Sequence, residues 1–516
     1  MKSNLTSIKI ENFRSIQMTE DVKILPITVL IGRNSAGKST FARSFPLVRQ
    51  SCEAKKRAPI LWFGDRVDFG SFDESLRKQL KGKGEIAFTF GLDIIQDTFL
   101  SRAKRLITQD ETNELSAKVE LKVVRAGKRP SQALSVKISA LGFDVNVQFT
   151  ESSSVRLIEC GNSTWYPEPN DVTEASYSAV LPRILFIRTR EDVEEEAKSP
   201  RYDEFLPFSE FISDKVLESK FSEYRDMIFN LISNAPVLKK GRLADHIFRR
   251  LPIVEAKRAL LDRKDFDNLI NSIEDVSIIT RINEFLEFFD LAINDYYSGV
   301  KYIEPLRATA QRYYRKQELA IDEIDSKGEN LAMFLDNIAG WRLEQFNLWT
   351  MKNFGFSAKT KNEGGHSAIV IKERDSDTEA NLTDIGFGFS QILPVITQIW
   401  LSTNIYSNNS NKTTCLVIEQ PELHLHPSFQ AKLADVFAAA VSGSRASKQR
   451  LIIETHSNHI VSRLGQLISK GVLENKDVQI LIFEKNEKSS TTIRTAGFDK
   501  DGYLTNWPVG FFEPEA

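Results

Sequence analysis

The segment GRNSAGKST, Gly32–Thr40, constrains this chain more than any other feature. It fits the pattern G-x-x-x-x-G-K-[ST] through Gly32, Gly37, Lys38 and Ser39. The pattern carries a mechanism only between a strand and a helix. ILPITVLI (Ile24–Ile31) reads as a buried strand, and FARSFPLV, which follows the loop, opens like a helix. In that setting the backbone N–H groups of Asn34, Ser35, Ala36 and Gly37 converge on a phosphate chain, and the helix N-terminus adds positive potential. Lys38 then reaches the outer phosphates and the Ser39 hydroxyl, followed by Thr40, faces Mg²⁺. A chance glycine turn is the plain alternative; the flanking strand and helix argue against it.

Composition removes several function classes. The chain has 516 residues, with 41% hydrophobic and 27% charged, an ordinary globular balance with room for more than one domain. Its net charge of −2 gives no overall basic field toward nucleic acid or membrane. Cys52, Cys160 and Cys415 lie far apart, so they form neither a metal pattern nor a disulfide framework, as expected in a reducing cytoplasm. No apolar run approaches the roughly 18 residues of a membrane span. MKSNLTSIKI alternates like a strand and lacks the apolar core of a signal peptide. The expectation is a cytoplasmic α/β protein without membrane contact.

Periodicity divides the chain. Gly84–Ile94, Ala117–Ala126 and Ala133–Phe149 alternate with period two and suggest an antiparallel sheet, followed by a strand at Arg183–Thr189. From about Phe205 the spacing turns helical. Phe208, Ile212, Val216, Tyr224 and Ile228 form one series; Leu269, Ile273, Val276, Ile282, Phe285 and Phe289 form another. Neither keeps heptads long enough for a coiled coil. Strands then return at Lys301–Pro305, His366–Arg374, Thr413–Gln420, Gln449–His456 and Val478–Lys485. Runs such as CLVI and LIIE fit strands covered on both faces, hence a parallel sheet. The expected division is residues 1–190, an N-terminal lobe carrying the glycine loop; 205–298, a helical insertion; and 300–516, a C-terminal lobe.

A phosphate loop needs a neighbouring acid for Mg²⁺ and a group that orients water. In TTCLVIEQPELHLHP, four apolar residues lead to Glu419, a Walker B arrangement. LIIETHS is a second apolar strand, ending in His456, which can bond a phosphate or the attacking water. Four of the six histidines lie in this region: His424, His426, His456 and His459. A loop or cap role is the bland alternative for each. NLTDIGFGFSQILPVI places Gly386 and Gly388 before Ser390, Gln391 and an apolar helix, a second helix start able to receive an anion, although a plain strand-to-helix turn would look alike.

IKIENFRSI (Ile8–Ile16), the Gly32–Thr40 loop, GFGFSQ, IEQPELHLHP and ETHS, in that order, resemble the ABC-type ATPase heads of the RecF/SMC/OLD class. The likeness covers roughly 1–190 and 300–516. The ending DGYLTNWPVGFFEPE is similar to tails of bacterial stand-alone members that serve anti-phage defence beside a separate nuclease, as in Septu-like and retron-linked systems. The resemblance implies a P-loop fold with a mixed and antiparallel lobe, a parallel lobe and a helical insertion. It implies ATP and Mg²⁺ as cofactors and two heads sandwiching two ATP molecules, hence a homodimer or higher oligomer. It implies that Arg14 and Ser15 lie near the nucleotide, that Glu419 holds Mg²⁺, that Gly388, Ser390 and Gln391 meet ATP across the dimer, and that His456 is the switch histidine.

The chain departs from that pattern in two places. The signature reads Gly-Phe-Ser-Gln where transporter-like heads have Ser-Gly-Gly-Gln. Gln420 stands where the catalytic glutamate follows the Walker B acid; a glutamine orients water but accepts no proton, so Glu422 or His456 becomes the candidate base. OLD-type heads carry a nuclease domain after the head, whereas 60 residues follow His456 here (456 to 516), without paired carboxylates. The expected activity is ATP hydrolysis that controls a separate effector such as a nuclease. The rivals are a non-hydrolysing ATP clamp and a RecF-like DNA-repair head. Basic clusters at Lys55–Arg57, Arg77–Lys83, Lys239–Arg242 and Arg249–Arg250 leave DNA as a candidate partner, although such runs are usually solvated faces.

Overall fold

The computed structural model describes residues 2–80, 82–95, 114–127, 129–168, 171–188, 240–241, 249–250, 266–317, 321, 323–404, 413–442, 449–485 and 490–508. By contacts the chain divides into two compact units, Met1–Val22 with Leu47–Ser298, and Lys23–Pro46 with Gly299–Ala516. The helical series read at Phe208–Ile228 lies outside the described residues.

The first unit is built on an antiparallel sheet. Its strands run in the order Ser163–Trp165, Val155–Cys160, Phe143–Phe149, Arg129–Ala140, Glu114–Ala126, Glu85–Ile95, Lys2–Phe13 and Ile16–Met18. Period-two burial explains them: Phe143, Val145, Val147 and Phe149 point inward while Asp144 is exposed. One expectation is corrected here. Ala133–Phe149 is not one strand but two, because Leu141 and Gly142 take φ of 58° and 85° and close a two-residue hairpin turn. Helices Phe266–Thr280 and Ile282–Tyr297 cover this unit's sheet. Phe285, Phe289, Ala292, Ile293 and Tyr296 recur at threes and fours and are buried. Asp290 on the same helix accepts hydrogen bonds from the backbone N–H groups of Ala179, Val180 and Leu181 at 3.0, 2.7 and 2.7 Å. That carboxylate fixes the turn ahead of the strand Pro182–Arg188.

The second unit carries the parallel sheet. The order is Thr491–Phe498, Val478–Lys485, Ile27–Gly32, Gln449–Glu454, Thr414–Glu419 and Val300–Ile303, and only Thr491–Phe498 runs antiparallel to its neighbour. Val29, Ile31, Leu416, Ile418, Ile453 and Ile480 are buried, as strands covered on both faces require. Helices Phe387–Asn404, Pro427–Val441 and Asn458–Ser469 contribute Ile396, Leu433, Phe437 and Leu464 to the same core. His366–Glu373 is a strand, as its sequence suggests. It belongs to a separate antiparallel hairpin with Phe356–Glu363, where Ala358, Ile369 and Ile371 are buried. The fold is thus α/β, with the antiparallel and parallel lobes expected of a P-loop head. No described helix is long and apolar enough to cross a membrane.

Candidate nucleotide site

All the parallel strands point one way, so their carboxyl ends share one edge of the sheet. Ligands of open α/β sheets bind at such edges. The strand Ile27–Gly32 lies between Val478–Lys485 and Gln449–Glu454, and the register sets Glu419 beside Glu454. The glycine loop therefore emerges next to Glu454, with Glu419 one strand further out.

Gly32 and Gly37 hold the two positions of the loop that call for glycine. Gly32 has φ of 143°, and a Cβ there would stand 2.2 Å from the Phe483 carbonyl oxygen. Gly37 has φ of 105° and Ser35 of 60°. Asn34 and Ser35 are exposed, and the Ala36 carbonyl accepts from Thr491 Oγ1 at 2.8 Å. The helix begins at Lys38, so its first N–H groups open toward the loop. Lys38 is 4% exposed, and its ammonium donates to the carbonyls of Gly32 and Arg33 at 2.9 and 3.0 Å. Burial lowers its pKa below the ordinary lysine value, with Glu454 and Glu422 opposing.

Three carboxylates surround this loop, each held differently. Both oxygens of Glu419 are taken: Arg43 Nε and Nη2 donate to Oε1 and Oε2 at 2.7 and 2.8 Å, and Tyr302 OH donates to Oε1 at 2.7 Å. Glu454 accepts from Ser39 Oγ at 3.0 Å through Oε1, while its buried Oε2 has no protein partner. Burial pushes Glu454 up to about 7; repulsion from Glu419 adds to the rise, and Ser39, Lys38 and Arg43 counter it. Glu422 Oε1 accepts from the backbone N–H of His456 at 2.7 Å, and burial raises its pKa. Burial and then the Lys38 charge lower the His456 pKa, so its imidazole is neutral at pH 7.

Gln420 sits at φ of 44°, its N–H donating to the Glu454 carbonyl at 2.7 Å. Arg307 Nη2 donates to the carbonyls of Glu419 and Gln420 at 2.9 and 3.3 Å, while its Nε and Nη1 are buried without a partner. Burial drops Arg307 to about 10, although Glu422 and Glu419 favour its charge. An ammonium turned onto its own loop's carbonyls, an orphaned carboxylate oxygen beside Ser39 and orphaned guanidinium N–H groups fit a site for phosphates and a divalent cation.

The remaining predicted residues are placed as follows. Thr40 is half-buried in the helix's first turn. The helix Phe387–Asn404 begins just past Gly386, whose φ is 107° with open space around it. Gly388 backs onto the His424 carbonyl, and the His424 ring packs edge-on to exposed Phe387 at 4.8 Å. Ser390 and Gln391 are buried, and the Ser390 hydroxyl donates to the Phe387 carbonyl at 2.7 Å. His426 caps the helix Pro427–Val441, Nδ1 accepting from the Ser428 N–H; His459 is exposed in the first turn of Asn458–Ser469. Arg14 and Ser15 belong to the first unit, where Arg14 has φ of 51°, donates to the Phe69 carbonyl at 3.0 Å and lies over the Phe69 ring.

Sequence reasoning passed over Arg43 and Glu454; Tyr302 and Arg307 belong to YIEPLRATAQRYYR (Tyr302–Arg315), whose mixed arginines and tyrosines suit a nucleotide or partner surface, with core and interface packing as the plainer use. Arg43 stands one helical turn beyond Ser39, a spacing that puts both on one face. Glu454 ends an apolar strand just as Glu419 does, which is the signal that could have found it.

No curated protein matches the chain. Two solved structures are similar across 96% of this chain and 98% of theirs at 10% identity and a TM-score of 0.34: an SmcHead bound to the C-winged helix domain of ScpA, and an SMC head domain from Thermotoga maritima. The model of the AAA ATPase domain matches residues 1–461, which take in the glycine loop, Glu419, Glu454 and His456. By that match the chain belongs to the AAA ATPase domain family.

Proposed function

We propose that this chain binds and hydrolyses ATP with Mg²⁺, as a head that pairs around the nucleotide and so controls a separate effector, such as a nuclease in anti-phage defence. The observation that supports it most is the gathering of the glycine loop, three carboxylates, Gln420 and His456 at the carboxyl ends of adjacent parallel strands. Lys38 and the loop amides hold the phosphates, and Ser39 faces the cation. Bound Mg²⁺ neutralises charge on the phosphate oxygens. Gln420 orients the attacking water through its amide, and the neutral imidazole of His456 offers an acceptor nitrogen. Pairing is supported by the exposed start of the helix at Phe387. Its free N–H groups suit a phosphate brought by a second head, and Ser390 joins them on releasing the Phe387 carbonyl.

Gln420 favours a second reading, in which ATP is held unhydrolysed and the head is a clamp. Steady-state ATP hydrolysis separates the two, with Lys38→Ala as background and Gln420→Glu alongside. Turnover above background in the natural chain supports the engine. Turnover confined to Gln420→Glu supports the clamp. Failure of the natural chain to bind ATP at all removes both.

A further inference from the structure

The turn after the Walker B strand holds a backbone that few residues adopt. Gln420 has φ of 44°, in the left-handed region, and Pro421 follows it. A residue before proline is driven toward extended backbone, so this conformation is unfavourable twice over. Such strain persists only where the surroundings hold it. The Gln420 N–H donates to the Glu454 carbonyl at 2.7 Å, and the Gln420 carbonyl accepts from the Leu423 N–H at 3.2 Å. The remaining grip is a side chain. Arg307 Nη2 donates to the carbonyls of Glu419 and Gln420 at 2.9 and 3.3 Å. One nitrogen thus ties the carbonyls before and after the Gln420 α-carbon, whose relative direction is what its φ and ψ set.

Arg307 is itself well anchored. It is 4% exposed and follows the strand Val300–Ile303. Its loop is tied at both ends, the Glu304 N–H donating to the Ser326 carbonyl and the Ala308 N–H to the Lys327 carbonyl, each at 2.8 Å. Burial drops its pKa to about 10, with Glu422 and Glu419 opposing, so the guanidinium stays charged at neutral pH. A buried charge is costly, and this one spends its hydrogen bonds on the backbone of the turn rather than on either carboxylate. We propose that Arg307 is a positioning residue for ATP hydrolysis: by holding the carbonyls of Glu419 and Gln420 it keeps Gln420 in its left-handed turn and so aims the amide that orients the attacking water. Charge-assisted hydrogen bonds give that grip its strength.

This role rests on the hydrolysing reading of the site, and the test separates the two. Single-turnover ATP hydrolysis by the full chain keeps slow variants measurable. Titration with a fluorescent ATP analogue gives nucleotide affinity, and thermal melting checks folding. The proteins are the natural chain, Arg307→Gln, Arg307→Lys, Gln420→Ala and the double variant of Arg307→Gln with Gln420→Ala, with Lys38→Ala as background. Arg307→Gln is expected to lower the rate by about tenfold or more with nucleotide affinity within about threefold. Arg307→Lys, which keeps a charged donor, should recover part of that loss. Because Arg307 acts through Gln420, the double variant should be no more than about threefold slower than Gln420→Ala alone. Losses that multiply in the double variant, an unchanged rate in Arg307→Gln, or a loss confined to nucleotide affinity overturn the assignment. If Arg307→Gln does not fold, Arg307→Lys takes its place in both backgrounds, and an unchanged rate there overturns it too. A natural chain no faster than Lys38→Ala overturns the hydrolysing reading itself, which an active natural chain with insensitive Arg307 variants would leave standing.

Discussion

Arg43 grips Glu419 with two parallel hydrogen bonds, Nε to Oε1 at 2.7 Å and Nη2 to Oε2 at 2.8 Å. The pair joins the first turns of the loop's helix to the end of a strand two places away in the sheet. It forms because the helix puts Arg43 one turn beyond Ser39, facing the strand ends. The carboxylate is buried while the guanidinium keeps about a third of its surface in water; the side-chain exposures are 2% and 36%.

Removing Arg43 should therefore cost more than a surface ion pair. Arg43→Ala leaves Glu419 buried with only Tyr302 donating to it. We expect about 3 kcal/mol of lost stability, the lower end for a broken buried pair because Arg43 is partly wet. Glu419→Gln in the Arg43→Ala background should restore part of it. Urea unfolding of the two singles and the double measures the coupling, and a cost below about 1 kcal/mol for Arg43→Ala would show the latch to be slack.

The loop itself predicts a second effect. Gly32→Ala would place a Cβ 2.2 Å from the Phe483 carbonyl oxygen at a φ of 143°. Neither the neighbouring strand's backbone nor that dihedral can give way cheaply. We expect a loss of several kcal/mol, together with loss of nucleotide binding, read by thermal melting and by titration with a fluorescent ATP analogue. Unchanged melting would mean that the loop relaxes freely.

These features were not equally legible in the sequence. The glycine loop, the acid ending CLVI and the histidine ending LIIETH announce themselves because each is a local pattern at a strand end. The burial of Ser390 behind the Phe387 carbonyl depends on the helix's first turn and shows in no motif. Arg43 and Glu419 are 376 positions apart, so their pairing depends on strand order, which periodicity does not encode. The same order makes Glu454 the acid nearest Ser39: the strand Gln449–Glu454 inserts between the loop's strand and the Walker B strand. Ala133–Phe149 looked continuous because Leu141, an apolar residue, occupies a turn position usually given to Asn or Asp.

In the first unit a buried acid predicts a pH effect. Asp275 is 1% exposed, accepts from the Asn162 N–H at 3.0 Å and faces Lys240 and Cys160. Burial raises its pKa above the ordinary 3.8, against the pull of Asn162, Lys240 and Cys160. The folded chain thus binds this proton more tightly than the unfolded one. Its contribution is most favourable below the ordinary value and declines as pH rises through the raised one. Asp275→Asn, which cannot ionise, should gain on the natural chain in melting temperature as pH rises from about 4 toward neutrality. A difference that does not move with pH would remove burial as the dominant influence.

Glu422 offers the sharpest functional test outside the loop. Its Oε1 accepts from the backbone N–H of His456 at 2.7 Å, so it fixes the turn that carries the imidazole. A buried acceptor can be replaced by another acceptor but not by a methyl group. Glu422→Gln keeps a carbonyl oxygen at that position, whereas Glu422→Ala leaves the N–H unpaired and the turn loose. If Glu422 acts by positioning His456, Glu422→Ala should lower turnover by about tenfold with nucleotide affinity within about threefold, and Glu422→Gln should stay near the natural rate. If Glu422 is instead the group that accepts the water's proton, Glu422→Gln should fall as far as Glu422→Ala, because an amide cannot take a proton there. Steady-state rates of the three proteins, measured with saturating ATP, therefore divide a positioning carboxylate from a base.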